Sequence, residues 1–314
     1  MKPKITVICG PTASGKTYVS IGLAKILNAE IISADSMQIY KELNIGTAKP
    51  STEEMCGIKH HLIDIVSIKS GRFSVAEYVK LADECVRDIL NRDKNVIFCG
   101  GTGLYIDHFI NNTQFTEYDN DIEYRHELEK FTNEELYSML VETDKKSAEI
   151  IHPNNKKRVI RALEIYKITG KTKSELDEIA NSQKSKYDFV KIGLNYSDRN
   201  LLYDKINKRA DMMITNGLAD EVKKLYDDGE EVHIRKTAAI GYIEILDYFN
   251  GLYNNFDEAV EKIKQNTRNY AKRQLTWFKR DVKKTIWIDI DDINEDYIKN
   301  PCKIIKNCLK YVNL

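Results

Sequence analysis

The stretch GPTASGKT, residues 10–17, follows the apolar run ITVIC (residues 5–9) and precedes YVSIGLAKIL (residues 18–27). Gly10, Gly15, Lys16 and Thr17 satisfy the pattern G-x-x-x-x-G-K-[ST]. In it, glycines let backbone N–H groups approach an anion, lysine adds a point charge and the hydroxyl reaches Mg²⁺. Ile5 to Cys9 favours a β-strand, and apolar residues at Val19, Leu23, Ala24, Ile26 and Leu27 recur with helical spacing. Strand, loop and helix therefore follow in the order a phosphate loop requires, with the positive end of the helix dipole under the anion. A chance glycine-rich turn would lack that context. The pattern does not say whose phosphate is held.

The same logic recurs downstream. AEIISADS (29–36) reads as a strand whose end delivers Asp35 and Ser36, and HHLIDIV (60–66) as a third strand. Ser74 and Glu77 form an S-x-x-E capping box that opens an amphipathic helix to about Asn91. NVIFC followed by GGTGLY (95–105) repeats the strand, glycine turn and helix, which puts Thr102 on the rim that holds Lys16 and Asp35. Strands alternating with helices predict an α/β fold: a P-loop NTPase-like core with a mostly parallel sheet flanked by helices. From about Thr116 to Lys186 the texture is charged and helical (IEYRHELEKF, NEELYSMLVE, KRVIRALEIYKI, KSELDEIANS). This segment reads as an all-helical insertion domain, 116–186, placed by its position in the chain over the strand ends of a core formed by 1–115 and 187–314. KIGLNY (191–196) returns to the sheet, long helices run to about Lys284, and TIWIDI (285–290) supplies a late strand.

The 314 residues are 42% hydrophobic, and 48 basic residues balance 48 acidic ones. Such a chain can bury a large core, and no global field draws it to nucleic acid or membrane, so a polyanionic partner must be met by local patches. The six cysteines form no C-x-x-C pair, and no signal sequence is expected before the first strand. A reduced, cytoplasmic protein is expected. No run approaches the about 20 apolar residues that span a membrane.

Two basic patches stand out. Lys156, Lys157, Arg158 and Arg161 occupy the first turns of a helix, where acids are preferred, so an anion should compensate them. Lys264, Arg268 and Lys272 fall at i, i+4 and i+8, with Arg273, Lys279 and Arg280 nearby and Tyr270, Trp277 and Phe278 interleaved. A solvated face competes here with a nucleic-acid-binding one.

GPTASGKT, ADSMQIYKELNIGTAKP, HHLID, GGTGLY, HPNNKKRVIRALEIY, NKRADMMITNGLADEV, AIGYIE and AKRQLTWFKRD occur in the order found in the tRNA dimethylallyltransferases, or tRNA isopentenyltransferases, which the chain resembles over roughly residues 4–281. The resemblance implies transfer of a dimethylallyl group from dimethylallyl diphosphate to N6 of the adenosine 3′-adjacent to the anticodon, with diphosphate released. It implies that Gly10, Pro11, Thr12, Ala13, Ser14, Gly15, Lys16, Thr17 and Arg209 hold the diphosphate, with Mg²⁺ on Thr17. Asp35 would be the general base, with Thr102 in the reaction channel beside it, and Lys16 and Arg209 would stabilise the leaving group. Contacts with the tRNA anticodon stem-loop would come from Asp35, Ser36, Met37, Gln38, Thr102, Arg125, Lys157, Arg158, Val159, Ile160, Arg161, Arg268, Lys272 and Arg273. Gln38 is expected to read the adenine edge by paired hydrogen bonds.

A monomer of the shorter bacterial type is expected, without the zinc finger of some family members. His60 and His61 read as core or polar-network residues. Asn44, Asn155 and Ile243 depart from the family pattern, and Ile243 puts a phosphate contact in doubt. Three other readings stay open. A P-loop kinase of small metabolites would release ADP from ATP. A non-catalytic RNA-binding module would leave Asp35 and the loop without a purpose. An adenylate isopentenyltransferase would not need the extended basic helix and insertion.

Overall fold

The computed structural model describes residues 2–113, 115, 121–181, 184–280, 285–291 and 302–312. They divide into two units, one formed by Met1–Phe109 with Tyr187–Leu314, the other by Ile110–Lys186. The first boundary falls at 109–110 rather than at the composition change at 115–116. Phe109 still packs its ring on Phe98 of the sheet, at 4.5 Å between centroids.

In the first unit, strands β1 (Lys4–Cys9), β2 (Ala29–Ser33), β3 (His60–His61), β4 (Asn95–Gly100), β5 (Asp188–Asn195) and β6 (Thr285–Asp289) form one sheet in the order β3-β2-β4-β1-β5-β6. Every pairing is parallel, with Ile8 facing Cys99 on one side and Ile192 on the other. Strands covered on both faces need apolar residues throughout, which is why ITVIC and VIFC read as continuous runs rather than alternating ones. The order changes direction between β1 and β4. Their carboxyl ends therefore open a crevice, the usual ligand position in such sheets.

Helices α1 (Lys16–Leu27), α2 (one turn, Thr52–Met55), α3 (Val75–Asn91) and α4 (Gly103–Ile110) belong to the first half of this unit. The predicted capping box of α3 is present: Glu77 N–H donates to the Ser74 hydroxyl and the Ser74 N–H to the Glu77 carboxylate. The helix then buries Tyr78, Ala82, Val86 and Ile89, one stripe at helical spacing. Only His60 and His61 of the third predicted strand pair with the sheet. Past them, Leu62 and Asp64 have positive φ, 61° and 58°, which no strand accommodates.

The second unit packs α5 (Ile122–Glu129), α6 (Asn133–Thr143), α7 (Lys145–Ile150), α8 (Lys156–Thr169) and α9 (Lys173–Asn181) around Leu128, Leu136, Leu140, Ile151, Val159, Ile160 and Leu163. Back in the first unit come α10 (Arg199–Thr215), α11 (Leu218–Asp227), α12 (Glu231–Thr237), α13 (Tyr242–Phe249), α14 (Phe256–Phe278) and α15 (Cys302–Val312). Helices α1 and α15 cover one sheet face through Val19, Leu23, Ile304, Ile305 and Cys308. Among the described residues no helix is long and apolar enough to cross a membrane.

Candidate active site

The phosphate loop turns sharply out of β1. Gly10 has φ 141°, and a Cβ there would stand 2.5 Å from the Leu194 carbonyl of β5, so only glycine fits. The Ser14 hydroxyl donates to the Pro11 carbonyl at 2.8 Å and the Tyr196 phenol to the Ala13 carbonyl at 3.3 Å, which brace the loop from both sides. Gly15 caps α1 without offering a side-chain acceptor, so the first N–H groups of the helix are left for an anion.

Two cations meet here. Burial pushes the Lys16 ammonium down to about 8; the charge of Arg209 acts in the same direction, while Cys99 and Asp35 oppose it. Burial likewise lowers Arg209, against the opposing charges of Asp35 and Glu54. Lys16 donates only to the Pro11 carbonyl, at 2.6 Å, and Arg209 has no hydrogen bond or ion pair among the described residues. A desolvated guanidinium with unspent donors is costly unless an anion is meant to occupy the space.

Across the crevice, Asp35 follows β2. Its Oδ1 accepts from the backbone N–H groups of Met37 at 2.9 Å and Gln38 at 3.4 Å, while Oδ2 has no donor among the described residues. The Thr102 N–H donates to the Ala34 carbonyl at 3.0 Å. Its hydroxyl accepts from the Ser36 N–H at 3.0 Å and donates to the Ser36 hydroxyl at 3.2 Å. The ends of β2 and β4 thus form one rim, with a carboxylate oxygen and hydroxyls facing two unpaired cations. This arrangement can hold a departing anion at one pole and take a proton at the other.

The family model described as IPP transferase matches residues 38–281. A tRNA dimethylallyltransferase of Halalkalibacterium halodurans is 47% identical over 300 residues, 94% of each chain. This chain belongs to the IPP transferase family. The crystal structure of the full-length tRNA isopentenylpyrophosphate transferase from Bacillus halodurans is 43% identical, with a TM-score of 0.73 over 99% of this chain and 97% of that one. A eukaryotic dimethylallyltransferase acting on tRNA superposes with a TM-score of 0.82 at 29% identity, covering 99% of this chain and 80% of its own.

Within this IPP transferase, several residues do other work than the sequence suggests. The Gln38 amide is spent inside the chain: Nε2 donates to the Thr47 and Ala48 carbonyls, both at 3.3 Å, and Oε1 accepts from the Ser33 hydroxyl at 3.2 Å. It pins the 44–49 loop and has no free edge for adenine. Val159 and Ile160 face the core of the helical unit, 0% and 4% exposed, so their side chains present nothing to RNA. Arg125 and Arg161 pair with the buried Glu164, at 2.7 and 3.4 Å, so of the four basic residues at the start of α8 only Arg161 meets a carboxylate among the described residues. Lys157 and Arg158 are exposed and have no ion pair among the described residues.

On α14 the basic stripe is partly consumed. Lys264 is paired with Asp211 and Glu261, and Arg268 donates to Asn207 at 2.6 Å. Lys272 and Arg273 remain exposed, the latter 5.7 Å from the Tyr270 ring centroid. Ile243 packs into an apolar cluster and Asn44 accepts from Lys49, so neither departure touches the rim. His61 bonds the buried Glu30 and His60 the Ile58 carbonyl, in keeping with a polar-network role. Two residues at the rim were not placed there by the sequence, in which Tyr270 is only an aromatic of the basic helix. Tyr270, whose phenol is raised by burial and by Asp35, lies against Thr102, and Gln274 reaches the phosphate loop itself. A glutamine in a basic, aromatic helix has no local signal to mark it.

Proposed function

We infer that this IPP transferase is a tRNA dimethylallyltransferase: it moves a dimethylallyl group from dimethylallyl diphosphate to N6 of the adenosine 3′-adjacent to the anticodon and releases diphosphate. The observation that carries the reading is the pair of desolvated, unpaired cations, Lys16 and Arg209, at an uncapped helix N-terminus, opposite a carboxylate with one free oxygen. A kinase would use the same loop, but the relatives named above are transferases of the prenyl class.

The chemistry follows from the charges. The allylic C–O bond breaks readily only if the departing diphosphate is neutralised, and the α1 N–H groups, Lys16 and Arg209 are preorganised to do so. As the N6–carbon bond forms, the amine becomes acidic and its proton passes to Asp35 Oδ2. Oδ1, held by two backbone N–H groups, keeps the carboxylate aimed. Thr102 and Ser36 line the rim where the base enters. An adenine stacked in a loop cannot reach that depth, so it must be extruded from the stack.

The Thr17 hydroxyl offers one hard oxygen at the start of α1, and among the described residues no cluster of three His, Cys, Asp or Glu forms a cage. That donor set suits Mg²⁺, which keeps most of its shell as water and phosphate oxygen, and which would add neutralising charge at the leaving group. The exposed Lys157, Arg158, Lys272 and Arg273 are the proposed backbone contacts for tRNA. Incubating a tRNA pool with the protein, Mg²⁺ and dimethylallyl diphosphate should yield N6-dimethylallyladenosine by nucleoside mass spectrometry. Unmodified tRNA alongside ATP turnover to ADP would overturn the assignment.

A further inference from the structure

Gln274 joins the two halves of the crevice. Its Oε1 accepts from the Thr12 N–H at 2.8 Å and its Nε2 donates to the Gly101 carbonyl at 3.0 Å. The side chain is buried, 5% exposed, so neither bond is exchanged with water. Thr12 belongs to the loop after β1 and Gly101 to the turn after β4, the two strand ends that flank the crevice. Gly101 directly precedes Thr102. One amide therefore spans the diphosphate pole and the acceptor rim. The fit is tight: a Cβ on Gly101 would stand 2.1 Å from Gln274 Nε2.

Helix α14 is itself held one turn further on, where the Trp277 indole N–H donates to Asp107 at 2.7 Å and Asp107 in turn accepts from Lys191 at 3.1 Å. The clasp thus hangs from a fixed support. It also commits the Thr12 N–H to the protein. We propose that Gln274 is a positioning residue that sets the separation between the donor loop and the acceptor rim, and so determines whether the allylic carbon meets the N6 amine or water. The proposal rests on the transferase reading above.

The glutamine amide supplies an acceptor and a donor in one plane at this reach. Gln274→Glu keeps the shape and the Thr12 bond but sets a carboxylate against the Gly101 carbonyl. Gln274→Asn is one methylene too short to span both. Misplacement by about 1 Å costs on the order of 100-fold in rate, so transfer should slow about 10- to 100-fold in both variants. KM for dimethylallyl diphosphate should change less than about threefold, because Lys16 and Arg209 are untouched.

The decisive readout is partition. With the poles out of register, water takes the carbon, giving dimethylallyl alcohol and diphosphate with the proton released to solvent, and the ratio of alcohol to modified nucleoside should rise at least about tenfold. Tyr242→Phe, which removes the phenol's part-buried bonds to Glu221 and Gly46, provides a stability control and should keep the parent ratio. A parent-like ratio in both Gln274 variants, whatever their rates, overturns the clasp. A parent protein that modifies no tRNA fails the transferase reading and takes the clasp with it.

Discussion

Raising the pH through the range where Lys16 loses its proton should weaken diphosphate binding. Burial brings this ammonium from an ordinary 10.5 to about 8, with Arg209 contributing in the same direction. A bound diphosphate supplies the missing counter-charge and returns the group toward its ordinary value, so the protonated form is the binding form. At pH 7 about nine-tenths of the free protein is protonated and at pH 9 about one-tenth, so the Lys16 contribution to affinity should fall about tenfold between them. Binding should take up about 0.1 proton at pH 7 and about 0.9 at pH 9.

Diphosphate also ionises in this range. The parent is therefore compared with Lys16→Met, in which only the ligand titrates. Calorimetric titration with diphosphate in two buffers of different ionisation enthalpy gives both the affinity ratio and the proton count. A ratio independent of pH, with no excess uptake by the parent, would show that Lys16 is fully charged in the free site and refute the desolvation reasoning. The sign for stability is opposite: a lysine depressed when folded costs stability while charged, so the free protein gains stability as pH rises from about 8 toward 10.5.

Asp35→Asn should leave both substrates bound yet slow single-turnover transfer by roughly 100- to 10,000-fold, the range for a positioned base, and near-parent turnover would remove Asp35 from that role. Replacing Lys157 and Arg158 together with alanine should weaken tRNA binding and reduce its salt slope by about 0.7–0.9 for each phosphate no longer neutralised, read by anisotropy. An unchanged slope returns that helix start to plain solvation. Glu30 is buried under Arg92, Lys94 and His61, and the Arg92 hydrogen bond above all holds its carboxyl well below the usual range. Its stabilisation is present above the ordinary carboxylate pKa and lost as pH falls below it. Glu30→Gln should therefore cost about 3 kcal/mol in urea melts at pH 7 and distinctly less near pH 3; an equal loss at both would show the charge to be irrelevant.

What the residues determined by themselves was local in origin. The phosphate loop was legible because glycine spacing, a preceding apolar strand and a following helix are adjacent in sequence, and Gly10 answers a backbone demand that no other residue meets. The same holds for the Ser74–Glu77 cap, the continuous apolar strands of a parallel sheet and the helical texture after Thr116, all of which depend on neighbours in sequence. Asp35 and Thr102 were readable because strand ends in such sheets face one crevice, and their shared rim is present.

What the chain could not announce was how polar side chains would be spent. The third strand stops at His61 because Leu62 turns with positive φ, and the even spacing of Lys264, Arg268 and Lys272 hides that Asp211 and Asn207, on another helix, take up the first two. Gln38 looked open to an adenine edge until the 47–48 carbonyls reached it, and Arg161 looked open to phosphate until Glu164 closed on it. Gln274 lies 262 residues from the Thr12 N–H it accepts. A side chain's chemistry is decided by which donors and acceptors surround it once water is gone, and across such separations only tertiary packing brings those partners together.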